Sequence, residues 1–291
     1  MNRELSAILE SIGRRVGASA QQGEAATSEP KLPAKVIQLP IWPEQTRGTP
    51  NPFLRGALFA AIQGKERRVL KRELLACQKG QSIRFTGLQL DQSDLDVWEQ
   101  AAELARSHPL GNVCHFKITA FLRALGRNTG KSDREWLKGS FARLMAAGVE
   151  ITCGRYTYGG AMLEFVRDED AGEYVLRLNP TILSMYKAGW TAIDWDIRQK
   201  LRRKPLALWL HGFYSSHAQP YPIKVDTLRE LTGSATKEPR KFKQNLKVAF
   251  VALEAAAGVK GTIDGDLVTV ERKPTPAQVR HIVKKASRKP R

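Results

Sequence analysis

The amino-acid sequence predicts an α+β protein in which the order helix, turn, helix and β-hairpin occurs twice. The first observation is an apolar residue at every third or fourth position between residues 238 and 257, which predicts an amphipathic helix. The second is the pair of alternating stretches that follows this helix, around Asp264-Gly265. The third is a similar order of elements between residues 112 and 179.

The charge of the chain limits the kind of partner that it binds. The 291 residues carry a net charge of +18, and 42% of them are hydrophobic, so the chain is able to bury a core. Residues 196–291 contain 21 Lys/Arg and 8 Asp/Glu, which places +13 of this charge in the C-terminal third. Such an excess predicts a polyanionic partner, and it favours nucleic acid over an anionic membrane surface.

The region from residue 221 to 272 has the clearest pattern. A short helix is predicted over DTLRELTG, with Asp226 as its N-cap and Gly233 at its end. The longer helix over residues 238–257 has an apolar side that comprises Phe242, Leu246, Ala249, Phe250, Leu253 and Ala257. Its opposite side comprises Lys237, Arg240, Lys243, Gln244 and Lys247. Followed by a hairpin, this order is typical of a winged helix-turn-helix, whose second helix enters the DNA major groove. A solvated amphipathic helix on a small core is the alternative interpretation.

We predict a disordered N-terminal tail over residues 1–48, because its composition is rich in Gly, Ala, Ser, Gln, Glu and Pro. Within it lies the apolar stretch VIQLPIWPE. Two interpretations remain open for its residues Gln38, Leu39, Ile41 and Trp42. They dock on the first domain, or they form a partner motif similar to the Gln-Leu-x-Leu-Phe peptide by which bacterial proteins bind the sliding clamp.

The rest of the chain is predicted to form two domains and a second tail. The first winged-helix domain covers residues 49–189 and contains a long helix after Asp91, a strand, two further helices and a strand-rich wing. The second covers residues 190–272 and opens with a helix across IRQKLRRKPLALWLHGFYSSH, which Pro205 kinks or delays. Residues 273–291 are predicted to be a flexible basic arm that contacts DNA.

The sequence contains no pattern that is typical of catalysis or metal binding. The stretch Gly126-Arg-Asn-Thr-Gly130-Lys131-Ser132 has one residue too few between its glycines for a P-loop, and it follows a helix. The five histidines form no metal-binding pair, and Cys77, Cys114 and Cys153 suit neither a disulfide framework nor a zinc site. We therefore predict a protein that binds without catalysing a reaction, with no cofactor and no metal. The absence of a long apolar run also predicts a soluble intracellular protein.

From about Leu39 to Arg272 the chain resembles the TrfA-type initiators of plasmid DNA replication. The stretches that carry the resemblance are PYPIKVDTLRELTGS, EPRKFKQNLKVAF and GDLVTVER, with weaker matches at LFAAI and VWEQAAELAR. The resemblance implies a cytoplasmic bacterial protein that binds direct repeats, called iterons, in a plasmid origin. It also implies opening of adjacent AT-rich DNA, work with the host initiator, and recruitment of the replicative helicase. It implies further that monomers bind iterons, while dimers pair through the first domain.

These interpretations assign roles in DNA binding to particular residues. Arg240, Lys241, Lys243, Gln244 and Lys247 are expected to contact base edges, since Lys and Arg suit guanine and Gln suits adenine. In the first domain, Arg134 and Lys138 are expected in a second groove, and Arg127, Asn128 and Lys131 at phosphates. Lys260 and Arg272 on the wing are also expected at phosphates. The alternative function is a dimeric winged-helix transcriptional repressor that binds an inverted repeat. A nuclease or relaxase is disfavoured, because the metal ligands are missing from the sequence.

Overall fold

The computed structural model describes residues 38–63, 67–108, 112–168 and 173–287. Residues 1–37, which contain most of the predicted tail, lie outside this part of the chain. The helices are α1 Asn51–Leu54, α2 Gln92–Arg106, α3 Ile118–Ala124, α4 Lys131–Ala146, α5 Pro180–Leu183, α6 Trp195–Lys200, α7 Pro205–Ser215, α8 Val225–Leu231, α9 Pro239–Ala257 and α10 Pro276–Ala286. The predicted mixture of helix and sheet is confirmed.

The strands form small antiparallel sheets and one parallel pair. They are β1 Thr46–Pro50, β2 Phe59–Ala60, β3 Val69–Leu75, β4 Gln81–Leu88, β5 Leu90–Asp91, β6 Val113–Lys117, β7 Gly148–Cys153, β8 Tyr156–Gly160, β9 Leu163–Asp168, β10 Glu173–Leu178, β11 Trp190–Asp194, β12 Ile223–Lys224, β13 Lys260–Asp264 and β14 Leu267–Glu271. The sheet orders are β3-β4-β7-β8, β6-β10-β9, β12-β14-β13, β1-β11 and the parallel β2-β5. The strands between residues 148 and 178 therefore belong to two different sheets.

Helix α2 forms where the sequence predicts it, because its first turn is well capped. The Asp91 carboxylate accepts hydrogen bonds from the backbone N–H groups of Ser93 (2.9 Å) and Asp94 (3.1 Å). Asp94 in turn accepts a bond from the Asp91 N–H at 3.1 Å, which completes a capping box. The helix then buries Leu95, Trp98, Ala101, Ala102 and Ala105 against the surrounding strands.

Two clusters of buried side chains lie along the chain. The first contains residues between Leu39 and Trp195, and the second contains residues between Leu201 and Val270. We refer to them as the first and second units. Hydrogen bonds connect them: the Trp209 indole N–H donates to the Gly56 carbonyl at 3.1 Å. The predicted division into domains at residue 189 stays a prediction, since residues 36–291 form one compact body.

The segment from Leu39 to Pro50 is part of the first unit, so the predicted tail ends earlier than residue 48. Trp42 is 2% exposed, stacks on Tyr186 with 5.9 Å between ring centroids, and donates from Nε1 to Glu103 at 2.5 Å. Strand β1 then pairs with β11 from Thr46 onward. Of the two interpretations of this stretch, the structure shows docking. Because Leu39 is also buried, sliding-clamp binding through the proposed motif would require the segment to leave its site.

Replacing Gly48 by alanine tests this docking. A Cβ atom at Gly48 would lie 2.3 Å from Cε3 of the Trp42 ring, so the ring must move. We expect Gly48→Ala to lower the free energy of unfolding by about 1–3 kcal/mol, as overpacking does. Urea titration followed by tryptophan fluorescence measures it. Gly159→Ala is the control, because its Cβ would meet nothing closer than the Val149 carbonyl oxygen at 3.8 Å, an ordinary contact. Equal stability of the two variants would contradict the expected packing.

The structure confirms one expectation about the second unit's helices and corrects another. The stretch predicted as a helix that Pro205 kinks or delays is divided into α6 and α7, because Pro205 begins a new helix and Arg203 has a positive φ of 67°. Helix α8 begins one residue before Asp226, so its N-cap is Lys224, and Asp226 instead forms an ion pair with Arg229 at 3.2 Å. Its predicted end is confirmed, since Gly233 follows the C-cap with a φ of 60°.

Two further corrections concern the end of the chain. Asp264 pairs with Leu267, so the two-residue turn of the hairpin is Gly265-Asp266 and not Asp264-Gly265. Gly265 has a φ of 54°, which glycine adopts without strain. The predicted flexible arm contains helix α10, which begins at Pro276. Gln278 attaches this helix to the second unit by donating to the Ser215 carbonyl at 2.8 Å.

Candidate nucleic-acid interface

Helix α9 is held by one side and leaves the other side exposed. Pro239 occupies its first turn, where the missing N–H costs nothing, and Gly258 ends it with a left-handed φ of 62°. Phe242, Leu246 and Leu253 are fully buried in the second core. The predicted helix and its apolar side are therefore confirmed, and the opposite side faces outward.

The outward side of α9 carries most of the predicted base-contacting residues. Those that are exposed are Lys237, which precedes the helix, and Arg240, Lys241, Gln244 and Lys247. We call these five residues the basic face. Lys243 differs, because it is half-buried and its Nζ donates to the Gly265 carbonyl at 2.5 Å. Lys243 therefore connects α9 to the turn of the β13-β14 hairpin, and the basic face lies beside that hairpin.

The hairpin carries one exposed lysine, and it is followed by an arginine that donates hydrogen bonds to backbone carbonyl groups. Lys260 begins β13 and is exposed, as a phosphate contact requires. Arg272 instead follows β14, and its Nη1 donates to the Tyr214 carbonyl at 2.6 Å and the His217 carbonyl at 3.0 Å. Burial lowers its pKa from the ordinary value. The Arg272 guanidinium therefore has partners at the C-terminal end of α7, and its predicted role at phosphate stays a prediction.

In the first unit, several of the predicted DNA contacts already have partners within the chain. The Arg127 guanidinium lies 3.3 Å from the Trp136 ring centroid and 2.9 Å from the Asp133 carboxylate. Arg134 Nε donates to the Thr129 carbonyl at 2.9 Å, and Lys138 pairs with Glu135 at 3.0 Å. These side chains hold the turn and the first two turns of α4 in place. Their predicted roles at DNA stay predictions.

The two remaining first-unit residues are exposed beside the N-terminus of a helix. Asn128 lies exposed in the turn between α3 and α4, and Lys131 is the exposed first residue of α4. Unpaired backbone N–H groups at a helix N-terminus favour an anion. The start of α4 is therefore the part of the first unit best suited to a phosphate.

A buried ion cluster between α2 and α6 joins the two units. Arg198 of α6 is fully buried, and its Nε contacts the Asp96 carboxylate and lies 3.2 Å from Glu99 Oε2. Its Nη2 donates to the Gln92 carbonyl at 3.0 Å. Thr49 donates to Glu99 Oε1 at 2.7 Å. Because α6 leads directly into the second unit, this cluster helps to set the orientation of α9 relative to α4.

Burial raises the pKa of Glu99 to about 7, although Arg198 opposes the shift. Since the unfolded chain releases this proton at lower pH, the Glu99 contribution to stability is largest below its unfolded pKa. It is lost as pH rises through the folded value. We expect the free energy of unfolding to fall by about 2 kcal/mol more in the wild type than in Glu99→Gln when the pH is raised from 5 to 7.5. Urea titrations at both pH values measure the difference. Glu254→Gln, at an exposed position, is the control and should show the pH dependence of the wild type. If Glu99→Gln also shows the pH dependence of the wild type, Glu99 is not the group responsible.

The sequence reasoning did not identify Arg198 or the capping role of Arg272. Nothing in the local pattern distinguishes these arginines from the other basic residues around them. A signal for α10 did exist, because Val279, Ile282, Val283 and Ala286 recur at helical spacing. The basic composition of this stretch concealed that periodicity.

The described part of the chain offers no metal site and no membrane-spanning helix. Among residues 38–63, 67–108, 112–168 and 173–287, no group of three or more His, Cys, Asp or Glu side chains is placed to hold a metal ion. Within the same ranges, no helix has the length and apolar character needed to cross a membrane. The basic face and the start of α4 therefore remain the candidate site.

Comparison with known proteins places the chain among the initiators of plasmid replication. The model of the TrfA protein family matches residues 30–272. The chain therefore belongs to the TrfA family. A relative in Escherichia coli, the plasmid replication initiator protein TrfA, is 26% identical over 279 residues, which cover 90% of this chain and 72% of the relative.

Two solved structures are similar to this chain to different degrees. A crystal structure of domains 2 and 3 of RctB has a TM-score of 0.52 and 13% identity, and the match covers 77% of this chain and 99% of that one. The Pi initiator protein in complex with iteron DNA has a TM-score of 0.45 and 15% identity over 62% of this chain and 94% of that one. The RctB similarity shows a related fold at low sequence identity.

Proposed function

We propose that this plasmid replication initiator binds direct repeats in its origin through two winged-helix units. In the second unit α8, α9 and the β13-β14 hairpin form the helix-turn-helix and wing. In the first unit α3, α4 and the strands after them have the same order. The observation that carries the proposal is the basic face of α9, because its opposite side is fully occupied by core packing. The family assignment supports the same conclusion.

Each part of the proposed interface has a chemical role. Arg240, Lys241 and Lys247 donate hydrogen bonds to guanine edges, and Gln244 suits the edge of adenine. Lys260 and the start of α4 bind phosphates, which position the protein without specifying sequence. Lys243 holds the wing against α9, so that both elements reach the duplex together. The two helices occupy major grooves about one helical turn apart.

The proposal extends from binding to the start of replication. Monomers bind the repeats, adjacent AT-rich DNA opens, and the host initiator and replicative helicase are recruited. Homodimers in equilibrium with these monomers pair through the first unit. These steps take place in the bacterial cytoplasm and require no cofactor. Their support is the family to which the chain belongs.

Footprinting of the purified protein on the DNA that flanks its own gene tests the proposal, at a fixed salt concentration of about 0.15 M. A probe specific for single strands, added to the same samples, measures opening. Protection of tandem direct repeats with opening of neighbouring DNA is the expected result. A single protected inverted repeat without opening would instead indicate a dimeric transcriptional repressor. Absence of specific protection would contradict both functions.

A further inference from the structure

The exposed side of α9 contains two apolar residues among its basic ones. Val248 is 72% exposed and Val251 is 69% exposed. At about 100° per residue, both valines lie within about 40° of Gln244 around the helix axis. They therefore continue the basic face by one further turn, and the described part of the chain leaves both of them open to solvent.

Valine is an unfavourable choice for an exposed helix position. Its branched Cβ restricts the side chain against the preceding turn, and an exposed valine gains no stabilisation from burial to offset this cost. A single exposed apolar residue is ordinary on a protein surface. These two valines differ from isolated ones, because both lie on the helix side that also carries Lys241, Gln244 and Lys247. A ligand that covers this side must match both positive charge and an apolar surface.

The major groove of duplex DNA offers this combination. Phosphates line both edges of the groove, and the C5-methyl group of thymine is the apolar feature of its floor. Val248 lies one helical turn after Gln244, which corresponds to about 6 Å along the helix axis. Neighbouring bases on one strand are about 3.4 Å apart, so this distance spans about two base pairs.

We propose that Val248 contacts the C5-methyl group of a thymine, about two base pairs from the adenine contacted by Gln244. This inference rests on the proposed function, because it requires α9 to enter the major groove. It adds an apolar specificity contact to a helix whose other contacts are hydrogen bonds and charges. The pair of residues makes this part of the site select A·T base pairs.

Deoxyuridine tests the proposal, because it pairs as thymine does and lacks only the methyl group. Duplexes bound by the full chain are first selected from a random-sequence pool. Each thymine of the selected site is then replaced singly by deoxyuridine, and binding is measured for the wild type and Val248→Ala. We expect one position at which the wild type loses about fourfold in affinity, the loss for one methyl group. Val248→Ala should bind both versions of that position nearly equally.

Val69→Ala is the matched control, since Val69 is also 72% exposed but lies on β3 in the first unit. It should keep the full thymine preference. If no replacement of a thymine by deoxyuridine lowers the affinity of the wild type, the inference is overturned and the proposed function is left intact. A thymine preference that persists in Val248→Ala would also overturn it, because another residue would then contact the methyl. Failure to select any sequence would contradict the proposed function itself.

Discussion

Replacing Arg198 by methionine is expected to lower the free energy of unfolding by about 3–5 kcal/mol. Methionine keeps an unbranched apolar stem, so most of the loss comes from the missing charge and hydrogen bonds. Without the guanidinium, Asp96 and Glu99 have no cation between them, so each must take up a proton or stay as an unpaired carboxylate in a largely buried site. Urea titration near neutral pH measures the change. The effect should be smaller at pH 5, where Glu99 keeps its proton.

Two further variants show whether the charge is responsible. Lys200→Met removes an exposed positive charge from the end of α6 and should change stability by less than about 0.5 kcal/mol. The double variant Arg198→Met/Glu99→Gln should recover part of the loss, since glutamine at position 99 needs neither a cation nor a proton to be buried. If the double variant loses as much free energy of unfolding as the two single variants lose in sum, Arg198 and Glu99 are not coupled.

Removing the charge of the basic face is expected to produce the largest loss of DNA binding. The variant carries glutamine at Lys237, Arg240, Lys241 and Lys247, all of which are exposed. Since each base or phosphate contact contributes about 1–3 kcal/mol, affinity for the origin repeats should fall by about 10³-fold or more. The salt dependence of binding should become shallower by about one unit for each phosphate that the variant no longer neutralises. Binding titrations at several salt concentrations measure both quantities.

A variant with the same change in net charge tests whether position matters. It carries glutamine at the exposed residues Lys71, Lys79, Arg84 and Lys187 of the first unit. If the long-range charge of the protein alone drives binding, the two variants will lose affinity equally, and the assignment of the basic face will be wrong. Single alanine variants separate the roles further. A residue that contacts a base should relax one position of the site, whereas a phosphate contact should weaken all sequences alike.

The elements of the second unit could be predicted because each one depends on local chemistry. The spacing of Phe242, Leu246 and Leu253 specifies one buried side of α9, and Gly233 and Gly258 end α8 and α9 by adopting a positive φ. The basic face follows from the same spacing, because side chains opposite a buried stripe must face solvent. Even here a one-residue error occurred at the hairpin turn, since Asp264 and Gly265 both suit a turn position.

The elements that could not be predicted depend on residues far apart in the chain. Trp42 docks because Tyr186 and Glu103 form its site, although both lie more than 60 positions away. Arg272 donates to carbonyl groups at the end of α7 because folding places them beside the end of β14, 55 or more positions away in the chain.

By itself, the sequence determined the mixed fold, the positions of most helices and strands, and which side of α9 carries positive charge. These features follow from the periodicity of apolar residues and from the composition, which neighbouring residues alone specify. The tertiary structure alone decided which arginines are exposed, which have partners within the protein, and how α6 is attached to α2. The physical reason is that a guanidinium has the same local sequence signature whether it meets a phosphate, a carboxylate or a helix C-terminus. Only the groups that folding brings within hydrogen-bonding distance distinguish these cases.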